Sequence, residues 1–145
     1  MKIPPPIQAF IAAGVMSMLA IVDRQPDRNL QLLALIFLML GVSVAIIGVR
    51  QFRKFKTTIS PIRLNSTSHL VTEGIYAYTR NPMYVGIVIV LIAWGLWLGS
   101  LLSLVVIPVF MFSIQHFQII KEEQALTDLF GQEYKEYQKS VRRWL

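Results

Sequence analysis

Leu30-Gln31-Leu32-Leu33-Ala34-Leu35-Ile36-Phe37-Leu38-Met39-Leu40-Gly41-Val42-Ser43-Val44-Ala45-Ile46-Ile47-Gly48-Val49 is a run of 20 residues without a charged side chain. As an α-helix it is about 30 Å long, the thickness of a bilayer's hydrocarbon core. The segment therefore predicts a transmembrane helix. Three further apolar stretches accompany it: about Ile7 to Val22, about Met83 to Leu98, and Leu101 to about Ile120. The prolines at 4–6 fit the entry to the first helix, where a missing N–H costs little. Pro108 lies inside the last stretch and predicts a kink. Gly99-Ser100 leaves room only for a tight turn, so the last two stretches should form a helical hairpin. The residues before Asp23 show no small-x-small cleavage pattern, so the first stretch is expected to be retained rather than removed as a signal peptide.

Composition agrees. Of 145 residues, 54% are hydrophobic and only 15% charged, against about 25% charged in soluble domains. The mean hydropathy is +0.54. The expected fold is all-α: one polytopic membrane domain over residues 1–145, with about four transmembrane helices (7–22, 30–49, 83–98, 101–120), a loop over 50–82 and a tail over 121–145. The tail carries Leu126, Phe130, Tyr134, Tyr137 and Val141 at helical spacing. It should form an amphipathic helix lying on the membrane or on the bundle, broken once at Gly131. The absence of cysteine excludes thiolate catalysis and cysteine metal sites. The two histidines, His69 and His116, are far apart and have no metal-ligand spacing, so no metal is expected.

The net charge of +6 reads as topology rather than nucleic-acid binding. Four spans place Lys2, Arg50, Arg53, Lys54, Lys56, Arg63, Arg80, Lys121, Lys135, Lys139, Arg142 and Arg143 on one side. Arg24 and Arg28 are left on the other. The positive-inside rule assigns the first side, with both termini, to the cytoplasm. A prokaryotic inner membrane is the expected location. The Arg50–Lys56 collar reads as headgroup contact.

Two segments carry more than topology requires. Leu70-Val71-Thr72-Glu73-Gly74-Ile75-Tyr76-Ala77-Tyr78-Thr79-Arg80-Asn81-Pro82-Met83-Tyr84-Val85-Gly86 precedes and enters the third span. Asn81 fits a helix N-cap and Pro82 the first turn, but capping does not explain Tyr76, Arg80 and Tyr84 together. At the end of the fourth span, Gln115, Gln118 and Glu122 follow i, i+3, i+7 and should share one face, with His116 and Glu123 on the adjacent one. Polar groups at that depth usually face the bundle or a water-filled cavity.

These two blocks, LVTEGIYAYTRNPMYVG and KEEQALTDLFGQEYKEYQKSVRRWL, resemble the isoprenylcysteine carboxyl methyltransferase family and its small prokaryotic relatives. The resemblance covers about residues 60–145. It implies an integral-membrane methyltransferase using S-adenosyl-L-methionine on a small lipophilic or lipid acceptor at the cytoplasmic face. It implies cofactor contacts at Ser68, His69, Leu70, Val71, Tyr76, Asn81, Pro82, Met83, Tyr84 and Glu122, and catalytic roles for Arg80, Gln118 and Glu122. Tyr76 and Tyr84 could wall the adenine or face the sulfonium, and Glu122 could accept from ribose hydroxyls or the amino group. The chain departs from the family pattern at Asn81, where His is commoner, and at Gln118, where the eukaryotic enzymes carry a substrate-binding Arg. The second departure argues against a carboxylate acceptor. A phospholipid amine methyltransferase, or a non-catalytic membrane scaffold retaining the fold, are the alternative readings.

Overall fold

A computed structural model describes residues 3–54 and 69–145. Its elements are α1 (Pro5–Asp23), α2 (Arg28–Lys54), a 3₁₀ turn (Gly74–Ala77), α3 (Pro82–Leu98), α4 (Leu101–Leu104), α5 (Val106–Ile114), a π-helical turn (Gln115–Ile119), α6 (Ile120–Phe130) and α7 (Gln132–Ser140). The described residues contain no strand. The protein is an all-α membrane protein. α1, α2 and the Leu101–Phe130 rod are each long and apolar enough to cross a bilayer. α3 is a shorter apolar helix of 17 residues, about 26 Å long.

The element boundaries follow from local chemistry. Pro5 opens α1. Asp27 Oδ1 accepts from the backbone N–H of Asn29 (2.8 Å) and Leu30 (3.1 Å) and so caps α2. α3 ends at Gly99 in the left-handed region (φ 62°), the expected hairpin turn. Ser100 then caps α4 by accepting from the Ser103 N–H at 3.0 Å. The rod is interrupted at Val105 rather than at Pro108 itself. The proline ring cannot donate back to the carbonyl four residues earlier, which belongs to Leu104, so the helix breaks one turn ahead of it.

α2 buries only Ala34, Gly41 and Gly48, one residue every seven. That single stripe lies against α3, and its small residues let the backbones meet. A Cβ on Gly41 would stand 2.8 Å from the Gly86 carbonyl oxygen, and one on Gly48 would stand 3.2 Å from the Pro82 ring. Most of the rest of α2, including Leu32, Ile36, Met39 and Leu40, is exposed, as a lipid-facing surface should be. The core joins α1, α3, α5 and the π turn through Ala12, Met16, Tyr84, Leu91, Phe110 and Ile119. At one end of the bundle, Asp23 accepts from the Ser100 hydroxyl and from the Leu102 N–H (2.9 Å). That pins α1 to the α3–α4 turn.

At the other end the amphipathic stripe of the tail is the second core. Tyr134, Tyr137 and Val141 bury themselves with Leu70, and Leu126 and Phe130 pack against them. Of the two expected resting places, the stripe therefore chooses protein: it folds over the loop before α3. Gly131 (φ 55°) supplies the expected break and divides the tail into α6 and α7.

Candidate functional site

Three side chains from three elements meet inside the bundle. Glu122 on α6 accepts from the Tyr84 hydroxyl on α3 at 2.8 Å and from Gln118 Nε2 in the π turn at 2.7 Å, both on Oε1. Gln118 and Tyr84 are buried and Glu122 is half-buried. The sequence expectation that Gln115, Gln118 and Glu122 share a face is half right. A π turn holds one residue more than an α turn, so everything after it rotates by about 100° relative to a straight helix. Gln115 therefore points elsewhere and accepts from Trp144 Nε1 at 3.0 Å. For the same reason His116 and Glu123 part company. His116 is exposed and stacks on Phe112 (6.1 Å between centroids), whereas Glu123 is buried.

Glu123 is the centre of a second cluster. Arg143 binds its carboxylate with Nε (3.0 Å) and Nη2 (2.7 Å), a bidentate fork. Arg80 Nη1 lies 3.0 Å from the same carboxylate with both side chains only 10% exposed. That approach is an ion pair without hydrogen-bond alignment: Arg80 Nε and Nη1 are buried without a hydrogen-bond partner. Burial, reinforced by the nearby Glu123 charge, pushes the Tyr134 hydroxyl up to about 12. Burial likewise raises the hydroxyls of Tyr76 and Tyr137 well above the ordinary tyrosine value. All three stay protonated donors at neutral pH. The Glu123 hydrogen bonds hold Arg143 more firmly in its charged form.

The remaining residues singled out from sequence divide into groups. His69, Leu70, Val71, Tyr76 and Arg80 line one small cavity of about 30 Å³, closed by the tail residues Tyr134 and Tyr137. Tyr76 also packs edge-on to Phe52 (5.1 Å) and reaches the Gly48 carbonyl at 3.4 Å, while Tyr137 donates to the Tyr76 carbonyl at 2.6 Å. Pro82 is buried, and both Pro82 and Met83 stand beside the stripe glycine Gly48. Asn81 starts α3, but its side chain does not cap the helix. Asn81 Nδ2 donates instead to the Arg143 carbonyl at 2.9 Å. Ser68 lies outside the described residues. Sequence reasoning missed the partners that the last residues bring, Arg143 to Glu123 and Trp144 to Gln115. They are 20 and 29 residues from their partners, so no local spacing announces them.

A larger groove, about 660 Å³, runs between α1 and the rod from Val105 to Lys121. Ile11, Val15, Val109 and Phe110 make its apolar walls, and Gln118 and Lys121 stand at one end. Among the described residues no group of acidic, histidine or cysteine side chains could hold a metal ion.

An apolar helical bundle, with a half-buried carboxylate joined through Gln118 to an apolar groove, defines an all-α integral-membrane protein. The chain belongs to the phospholipid methyltransferase family, whose model matches residues 30–133. It is similar to the protein-S-isoprenylcysteine O-methyltransferase of Schizosaccharomyces pombe, 33% identical over 108 residues that make up 74% of this chain and 46% of that protein. The corresponding Dictyostelium discoideum protein is 36% identical over 79 residues, 50% of this chain and 30% of that one. The chain thus spans less than half the length of these two relatives. An uncharacterized protein of Haemophilus influenzae is 44% identical over 63 residues, 43% of this chain and all of that protein. No solved structure matches. The resemblance read from the two motif blocks is borne out, and the family is one of membrane methyltransferases.

Proposed function

We propose that this protein is an S-adenosyl-L-methionine-dependent methyltransferase whose acceptor is a small lipophilic molecule. The observation that carries the reading is Gln118, which stands at one end of the apolar groove and also donates to Glu122. An acceptor tail lying between α1 and α5 would bring its polar end to the Tyr84–Gln118–Glu122 cluster. The residues fit the cofactor's polar groups. Arg80, nine-tenths buried with unused donors in a cavity shared with His69 and Tyr76, suits a carboxylate. Glu122 suits an ammonium or ribose hydroxyls. The cavity as it stands has room for a carboxylate-sized group and not for a nucleoside. When bound, the cofactor supplies an electrophilic methyl group on a sulfonium. The chain's part is to hold the two reactants in line and to exclude water, which accounts for a large share of the barrier in such displacements.

Gln118 carries no charge, and its amide N–H is engaged by Glu122. The cation at that end of the groove is Lys121. A neutral or amine-bearing acceptor suits this site better than a carboxylate. A phospholipid amine is the second reading, favoured by Glu122 as a carboxylate able to attract an ammonium. The site sits at the end of the bundle that carries the basic loop and tail, so it faces the cytoplasm by the charge rule.

The test is binding of S-adenosylhomocysteine to the purified protein in detergent. The wild-type chain should bind. Glu122→Ala should weaken binding by about 1–3 kcal/mol, the cost of buried donors left unpaired. A folded wild-type protein with no affinity would instead support a scaffold. Incubation with labelled cofactor and a lipid extract then identifies which lipid class gains the methyl group.

A further inference from the structure

The segment 142–144 makes three separate attachments, each to an element that carries the candidate site. Its backbone holds the loop before α3: Arg80 N–H donates to the Arg142 carbonyl at 3.0 Å, and Asn81 Nδ2 donates to the Arg143 carbonyl at 2.9 Å. Its guanidinium holds α6 through Glu123. Its indole holds the start of the π turn, where Trp144 Nε1 donates to Gln115 Oε1 at 3.0 Å. Trp144 also packs against the main core.

The π turn decides which way α6 faces. Ile120 N–H bonds back to the Gln115 carbonyl, five residues away. An ordinary α turn there would swing Glu122 by about 100° and take it off the Tyr84 hydroxyl. The wider turn is the less favourable backbone form, so something has to hold it. Gln115 is its first residue, and Trp144 is the side chain that fixes Gln115.

We infer that Trp144 is a positioning residue for methyl transfer: by fixing Gln115 it holds the π turn that aims Gln118 and Glu122 at Tyr84. The inference rests on the function proposed above. The single indole N–H of Trp144 goes to Gln115 and not to Tyr84, Gln118 or Glu122, so it acts through the turn. A displacement of about 1 Å in a group that orients reactants can cost on the order of a hundredfold in rate, so the effect should fall on turnover more than on affinity.

The experiment uses the full chain in detergent with Trp144→Phe, which keeps an aromatic ring and removes the N–H. Gln115→Met attacks the same bond from the other side in case the first variant folds poorly. Turnover from labelled S-adenosylmethionine to a lipid extract at saturating cofactor should fall about tenfold or more in either variant. S-adenosylhomocysteine affinity should change less than about threefold. The double variant should be no more active than either single. Recovery in the double variant would mean that an unpaired amide caused the loss, and would overturn the inference. So would wild-type turnover in Trp144→Phe. A second readout needs no activity. The melting-temperature losses of Trp144→Phe and Gln118→Ala should be non-additive although Trp144 bonds to Gln115 and Gln118 to Glu122; additive losses count against the inference. If wild type binds no S-adenosylhomocysteine but the melting losses are non-additive, the methyltransferase reading fails while the positioning of the turn stands.

Discussion

The crossing of α2 and α3 can be tested by adding one methyl group. A Cβ on Gly41 would stand 2.8 Å from the Gly86 carbonyl oxygen, 2.9 Å from Val90 Cγ2 and 3.0 Å from the Val90 backbone nitrogen. Ordinary contacts lie at about 3.5–4.0 Å. Two of the three atoms are main chain and cannot rotate away, so Gly41→Ala must push the helices apart by about 0.5–1 Å. A gap of that size forfeits a quarter to a half of each contact's attraction along the interface. Overpacking of this kind costs about 1–3 kcal/mol. Gly14→Ala is the internal control, because a Cβ there meets nothing within 4 Å. Both substitutions share the gain of replacing a helical glycine, about 0.5–1 kcal/mol, so their difference isolates the crossing. Thermal unfolding of the two variants side by side in one detergent is the assay. Gly41→Ala should melt several degrees below Gly14→Ala. It should also lose S-adenosylhomocysteine affinity, since α3 carries Tyr84. Equal melting temperatures would refute the close-packed crossing.

Two further outcomes are expected. Asp23→Ala removes the acceptor for the Ser100 hydroxyl and the Leu102 N–H; it should lower the melting temperature and leave S-adenosylhomocysteine affinity unchanged, because that latch lies at the other end of the helices from Glu122. A reporter enzyme fused after Leu145 should work only if it functions in the cytoplasm, and activity of a periplasmic reporter there would contradict the orientation drawn from the charge count.

What the sequence determined by itself was whatever is written in short periods. Twenty uncharged residues from Leu30 to Val49 specify a membrane helix because a helix is the form in which a single segment satisfies its own backbone in lipid. Gly99-Ser100 specifies a hairpin because two residues allow no other connection, and the Leu126–Val141 stripe specifies an amphipathic tail because its period is helical. Gln118 and Glu122 were recognisable as polar side chains at a depth where a bilayer would exclude them, and Tyr84 stood out with Tyr76 and Arg80 at the entry to the third span. Tertiary structure alone decided how they meet. A π turn cannot be read from composition, and it is what turned Gln115 away from Glu122 and separated His116 from Glu123. Asn81 looked like a cap and became a tether, because the Arg143 carbonyl arrives from 62 residues downstream. The partners of Glu123 and Gln115, and the groove against α1, depend likewise on which helix faces lie together. Packing settles that, and a linear pattern of apolar residues in lipid constrains it weakly, because every face of such a helix is apolar.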